Sequence, residues 1–329
     1  MRDGLLERHL PRIGLGLGLA AATAATLLIL VSRTTTAASS APASALPAPH
    51  FFGRGYSDAP LDLPHDARLY TTQILLALVS SPSPGWTGND AFHLLGYSLG
   101  GAIAAAFSST HPHLVRSLSL VAPGGLVRSG AHVGWRSRVL YNAGWIPEWV
   151  RRWVVGRRLR PVKVGGGVGG DVPEKETVDD DDEEEKKEEW DGLRLVGGGR
   201  IGEVVGWQLA RHPGFVTSYM STIRHAPIYD RGDEEWRVLA EVLEARRSSC
   251  GDGDGRGWTS EPGLRKGRVL FLLGEDDDIV VLGETVWDAE RVLGEDAVEV
   301  VVLGGGHEIA ITKGREIVGA VVAAWERRA

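Results

Sequence analysis

Apolar residues along the chain gather into short, nearly unbroken runs. Phe92 to Leu95 is one and stops at a glycine turn; Ser117 to Val121 is another and stops at Pro123. Val269 to Leu273 and Val298 to Leu303 are leucine-rich or β-branched runs of similar length. Such runs predict strands buried on both faces. Helical patterns lie between and after them, at the alanine-rich Gly101 to Phe107, at Gly283 to Leu293 and at Glu308 to Arg327. Strands alternating with helices predict an α/β fold with a mostly parallel sheet covered on both faces. Residues 124–245 break the alternation with tryptophans, arginines and helical segments, and predict an insertion between two strands of one sheet, whose core is then residues 50–123 and 246–329.

Two tracts fall outside that pattern. Ile13 to Val31 is uncharged over 19 residues, with Arg2, Arg8 and Arg12 before it and Arg33 after it. As a helix it would reach roughly 28 Å, close to the hydrocarbon thickness of a bilayer. It predicts a membrane anchor in residues 1–33, with the N-terminus cytoplasmic and the rest on the lumenal or outer side. Ala43-Ser44-Ala45 offers a small-residue cleavage site, which keeps a secreted alternative open. Residues 34–49 are rich in Ala, Ser, Thr and Pro and read as linker. The second tract, about 165–199, runs from glycines through the acids Asp179 to Glu189 to further glycines, and predicts a solvated, disordered insertion. Consecutive acids without spaced ligands and a glycine turn do not make a calcium loop.

That tract changes the meaning of the charge. The 329 residues carry 43 acidic and 36 basic side chains, a net −7, yet Asp171 to Asp191 alone holds 13 acids against 3 lysines. The remaining 308 residues sum to +3, without the basic excess that nucleic-acid binding requires. One cysteine, Cys250, excludes an intrachain disulfide and a multi-cysteine zinc cluster.

The candidate chemistry sits at the first glycine turn. Gly96-Tyr97-Ser98-Leu99-Gly100 matches G-x-S-x-G after a predicted strand and before a predicted helix, where the turn strains the serine and projects its hydroxyl. A serine hydroxyl needs a base and a group to orient that base. Val269 to Leu273 leads into Gly274-Glu275-Asp276-Asp277-Asp278, and Val298 to Leu303 leads into Gly304-Gly305-Gly306-His307. His307 is the only one of 10 histidines C-terminal to those carboxylates. A parallel sheet brings the three loops to one edge. Arg54 and Asp58 read as a structural ion pair beside the turn, and Tyr97 as a packing or pocket residue. Trp145, Trp149, Trp153, Trp207 and Trp236 read either as a pocket lining or as core.

With Gly53-Arg54-Gly55-Tyr56-Ser57-Asp58 added to these motifs, residues 50–329 resemble the α/β-hydrolase family, and more narrowly its fungal-type members. The resemblance implies the α/β-hydrolase fold with residues 124–245 as a helical cap. It implies that Ser98 is the nucleophile, His307 the general base and Asp277 the residue that orients it, with Asp276 and Asp278 as less favoured substitutes. It implies cleavage of an ester, thioester or amide in a small-molecule or lipid-like acyl substrate, with no metal or organic cofactor. The Leu99 N–H would be one oxyanion donor. The family's further strands and His-Gly loop upstream are not found in residues 1–50, so the N-terminal part of the sheet is expected to be incomplete. The rival expectation is a catalytically impaired, membrane-tethered scaffold of the same fold.

Overall fold

The computed structural model describes residues 28–31, 50–81, 86, 91–162, 179–195, 198–249 and 263–328. Strand β1 is Leu28–Val31, followed by helix α1 at Ala67–Val79, strand β2 at Phe92–Tyr97, helix α2 at Leu99–Thr110 and strand β3 at Val115–Val121. The inserted cap then supplies α3 (Ser129–His132), α4 (Trp135–Asn142), α5 (Glu148–Arg158), α6 (Asp179–Gly192), α7 (Ile201–Arg211) and α8 (Phe215–His225). Helix α9 (Glu235–Ser249), strand β4 (Val269–Gly274), α10 (Leu282–Leu293), β5 (Val298–Leu303), α11 (Ile309–Thr312) and α12 (Gly314–Arg328) return the chain to the sheet.

Hydrogen bonding orders the strands β1-β2-β3-β4-β5, with β2 to β5 parallel and β1 antiparallel to β2. Every residue of β2 and β4 is buried, as expected of apolar runs covered on both faces, whereas β5 at the edge leaves Val302 48% exposed. Helix α2 is buried from Leu99 to Ser109, and its alanines let it lie close against β2 and β3. Asp66 caps α1 by accepting from the Leu69 N–H at 3.0 Å, and Tyr70, Ile74 and Leu78 put one stripe of that helix into the core.

Strand β1 takes up the last four residues of the N-terminal apolar run. Leu28–Val31 closes the apolar run expected to cross a membrane, yet these four residues pair with His93 to Gly96. Apolar β-branched and leucine residues serve a strand as well as a spanning helix, and the open edge of β2 supplies unpaired backbone groups. Among the described residues no helix is long and apolar enough to cross a membrane; residues 1–27 and the linker at 34–49 lie outside them.

The acidic tract is a first correction. Asp179–Gly192 forms α6 where disorder was expected, while residues 163–178 lie outside the described set. The end of α6 is docked: buried Asp191 accepts from the Val162 N–H at 2.9 Å and from Lys187 at 2.6 Å. Charge repulsion is relieved where an i,i+4 lysine and a backbone donor meet the carboxylate.

A second correction concerns Arg54. It does not pair with Asp58, which is exposed; its guanidinium is buried and donates to Ser218 Oγ at 3.1 Å and Thr222 Oγ1 at 3.4 Å of α8. It also lies 5.4 Å from the Phe215 ring centre and 5.9 Å from that of Tyr219. Burial lowers its pKa, opposed by nearby Tyr70 and Tyr219. Charged hydrogen bonds near 1.5–3 kcal/mol and a desolvated cation–π contact near 2 kcal/mol roughly match the several kcal/mol of desolvation. The residue therefore fixes where the cap sits more than it adds stability.

Beside it His65 is 1% exposed, and its ring nitrogens find no well-formed hydrogen-bond partner among the described residues. Burial, and then the charges of Arg54 and His225, push its pKa down from 6.5 to about 4. A folded-state pKa below the unfolded one means that stability is full above about 6.5 and is lost as pH falls toward about 4, by up to about 3 kcal/mol. Thermal melts at pH 7.5 and 4.5 are expected to separate less for His65→Leu than for the wild type; equal separations would show that His65 does not carry the dependence.

Candidate active site

The G-x-S-x-G turn joins β2 directly to α2. Ser98 has φ 52° and ψ −119°, a conformation non-glycine residues rarely adopt, which throws its side chain out of both elements. The turn holds because Ser98 N–H donates to Val121 O at 3.0 Å while Ser98 O accepts from Gly101 and Gly124, each at 2.9 Å. Gly96 is obligatory there: a Cβ would stand 2.3 Å from Gly100 O.

Asp277 is placed by the loop after β4. Its Oδ1 accepts from the N–H groups of Ile279 at 2.9 Å and Val280 at 2.8 Å, which leaves Oδ2 to meet His307 Nδ1 at 2.8 Å. Asp276 and Asp278 on either side are exposed, and Asp278 instead pairs with Lys186 of α6. Gly274 lets the loop after β5 come close, since a Cβ there would stand 2.6 Å from the carbonyl oxygens of Gly305 and Gly306.

His307 Nε2 lies 2.9 Å from Ser98 Oγ, so the serine, the aspartate and the histidine form one continuous chain of hydrogen bonds. Because a carboxylate only accepts, the Nδ1 of His307 carries the hydrogen and Nε2 is free to accept from the serine hydroxyl. Exposures of 6% for Ser98, 4% for Asp277 and 2% for His307 make the chain of contacts dry. Leu99, the first residue of α2, has an N–H that the helix ladder cannot use.

Three further residues touch this centre. Tyr97 donates its hydroxyl to His307 O at 2.7 Å and its ring centre lies 5.3 Å from the imidazole. Burial, with Asp277 and Glu308 nearby, holds the Tyr97 pKa well above its ordinary value, so it stays a neutral donor. Trp190 of α6 has its ring centre 6.3 Å from that of His307, and Lys186 of the same helix reaches Asp278. Neither was visible in the sequence, where both sit in a low-complexity run; the i,i+4 pair of Lys186 and Trp190 was the one available signal. Of the tryptophans proposed as lining or core, only Trp236, 1% exposed, joins the core, whereas Trp145, Trp149 and Trp153 are 78%, 69% and 62% exposed.

A strained serine between a parallel strand and a buried helix, in a sheet interrupted by a helical cap, defines an α/β-hydrolase fold. Residues 48–160 match the family described as alpha/beta hydrolase fold, and the chain is a protein of that fold. No curated protein sequence matches the chain. Among solved structures it is similar to a meta-cleavage product hydrolase from Pseudomonas fluorescens IP01, with 15% identity, TM-score 0.46 and coverage of 86% of this chain and 79% of that one. A second is MGS-M2, an alpha/beta hydrolase enzyme from a Medee basin deep-sea metagenome library, with 11% identity, TM-score 0.48 and coverage of 84% and 77%. A third is 2-hydroxy-6-oxo-6-phenylhexa-2,4-dienoate hydrolase from Rhodococcus sp. strain RHA1, with 16% identity, TM-score 0.45 and coverage of 84% and 78%.

The Tyr97 contact gives a direct test. Tyr97→Phe leaves the buried His307 carbonyl without its donor, a loss of about 1–3 kcal/mol. Urea unfolding followed by circular dichroism is expected to move to a lower midpoint by that amount; an unchanged midpoint would show that the bond contributes nothing net.

Proposed function

We propose that the protein is a serine hydrolase that cleaves an ester, thioester or amide through an acyl-enzyme on Ser98. The observation that supports it most is the unbroken hydrogen-bonded chain from Ser98 Oγ through both nitrogens of His307 to Asp277. In this reading His307 Nε2 takes the hydroxyl proton as Ser98 Oγ attacks the carbonyl carbon, and Asp277 stabilises the imidazolium that results. The proton then passes to the leaving group, whose bond to the carbonyl carbon breaks. A water activated in the same way attacks the acyl-enzyme, releases the acid and restores Ser98. The Leu99 N–H would donate to the oxyanion.

Substrate selection is assigned to the cap. A cavity of about 340 Å³ is lined by Tyr141, Tyr219, Tyr229, Arg138, Arg224 and Ser137, among others. None of Ser98, Asp277 and His307 lines it; its wall joins the elbow through backbone, since Tyr229 bridges Val127 and Gly124 of the same loop donates to Ser98 O. Tyrosine hydroxyls and arginines suit a small-molecule or lipid-like acyl substrate with a polar or anionic end.

One observation favours the rival, an impaired scaffold with an incomplete oxyanion hole. The N–H groups of Phe52, Gly53, Arg54 and Gly55 all donate within the protein, so none of these four is left to offer an oxyanion.

A fluorophosphonate probe separates the two. The wild type is expected to be labelled and Ser98→Ala not, and Asp277→Asn is expected to slow hydrolysis of p-nitrophenyl esters by on the order of 10³–10⁴. Folded, soluble wild type that takes no label and turns over no ester would leave the scaffold reading standing.

A further inference from the structure

Residues 128–160 of the cap carry eight arginines against a single acid, Glu148. That acid is already neutralised, by Arg151 at 3.0 Å and Arg224 at 3.2 Å. Helix α5 lies in the middle of this segment and has two distinct faces. Arg151, Val155 and Leu159 are buried, and Val155 and Leu159 pack into the cap cluster with Phe215, Tyr219 and Met220. Helical spacing turns residues 149, 153 and 160 the other way, and there Trp149 and Trp153 are 69% and 62% exposed. Arg152 and Arg157 are exposed on either side of that tryptophan ridge, with Arg160 beyond it. Trp145, just before the helix, and Trp135 on α4 are 78% and 68% exposed.

Four large aromatic side chains left in water by one short segment need an explanation, because a scattered exposed apolar residue is ordinary and a cluster is not. Tryptophan ringed by arginine is the composition of a surface that sits at the headgroup level of a bilayer, the indole among the acyl boundary and the guanidinium groups on phosphate. We propose that the outer face of α5, with Trp145 beside it, docks on an anionic lipid surface, on which the protein lies without crossing it. Charge complementarity selects this partner: Arg128 is paired with Asp288 and Arg151 with Glu148, and the exposed Arg152, Arg157, Arg158 and Arg160 on and just after α5 give this face a local positive charge that a negative leaflet attracts. The surface is far in sequence from the apolar run at residues 13–31 and does not depend on it, nor on the chemistry at Ser98.

Sedimentation of the full chain with sonicated vesicles tests the proposal, using phosphatidylcholine alone and phosphatidylcholine mixed with phosphatidylglycerol. Binding is expected to the mixed vesicles, to weaken at high salt, and to be unchanged in Ser98→Ala. Trp149→Ala with Trp153→Ala, and separately Arg152→Gln with Arg157→Gln, are each expected to weaken it by about tenfold or more. Circular dichroism melts matching the wild type would show that both exposed pairs leave the fold intact; if a pair unfolds, Trp149→Ser alone with the same readout replaces it. No binding to mixed vesicles overturns the proposal. So does binding that both pairs leave unchanged, which would place it in residues 13–31. Concentration-dependent dimerisation abolished by the tryptophan pair, without vesicle binding, would assign the face to a second copy. Tighter binding to a single-stranded oligonucleotide than to mixed vesicles at equal salt would assign it to nucleic acid.

Discussion

A serine held at φ 52° is the constraint on which the rest of the centre depends. Left-handed backbone at a residue with a side chain costs about 1–2 kcal/mol, and it survives only where the surroundings leave no alternative. Here β2 enters the turn fully buried and α2 leaves it fully buried, so neither element can shift to relax Ser98. The Ser98 carbonyl is fixed by three N–H donors, of Gly101, Ala102 and Gly124, and its own N–H by the carbonyl of Val121 in β3. With the backbone so determined, the hydroxyl points away from both elements and toward the one imidazole that the sheet edge brings near.

The same logic repeats at the other two positions, with different devices. Four carboxylates follow β4, and chemistry alone does not choose among them. The choice is made by two backbone N–H groups, of Ile279 and Val280, which hold one oxygen of Asp277 and turn the other to His307. A carboxylate bonded in this way is fixed in place, which orients the imidazole and leaves its second nitrogen facing Ser98. Tyr97 completes the frame from beneath by bonding the His307 carbonyl, so a residue adjacent to the serine in sequence restrains the histidine that serves it.

What was legible in the sequence follows from how local each signal is. The apolar runs of β2 to β5 and the turn at Gly96 declare themselves within a few residues, because burial on both faces and a sharp turn each demand a composition. The three loops follow from topology once the strands are parallel. Leu28 to Val31 is ambiguous in sequence because leucine, isoleucine and valine satisfy a spanning helix and a strand alike, and its strand form follows from pairing with β2. Helix α6 was missed because ten acids and two lysines in 179–192 score as solvated chain; its docked end depends on Val162 and Asp278, which lie elsewhere in the sequence. Arg54 has Asp58 as a nearby acid in sequence, while the structure sends it to hydroxyls and aromatic faces on a helix more than 160 residues away.

The net charge is the least informative of the opening quantities, for a physical reason. Within the cap, residues 179–192 sum to −8, from ten acids and two lysines, and residues 128–160 sum to +7, from eight arginines and one glutamate. Mobile ions screen fields over about 8 Å at physiological salt, so a partner touching one segment responds to that segment and not to the chain's total of −7. Segregating opposite charges on one insertion gives a chain of modest total charge two segments of opposite sign. The negative one reaches inward at its end, where Lys186 and Trp190 stand beside the loops of Asp277 and His307, and the positive one carries its tryptophans in solvent.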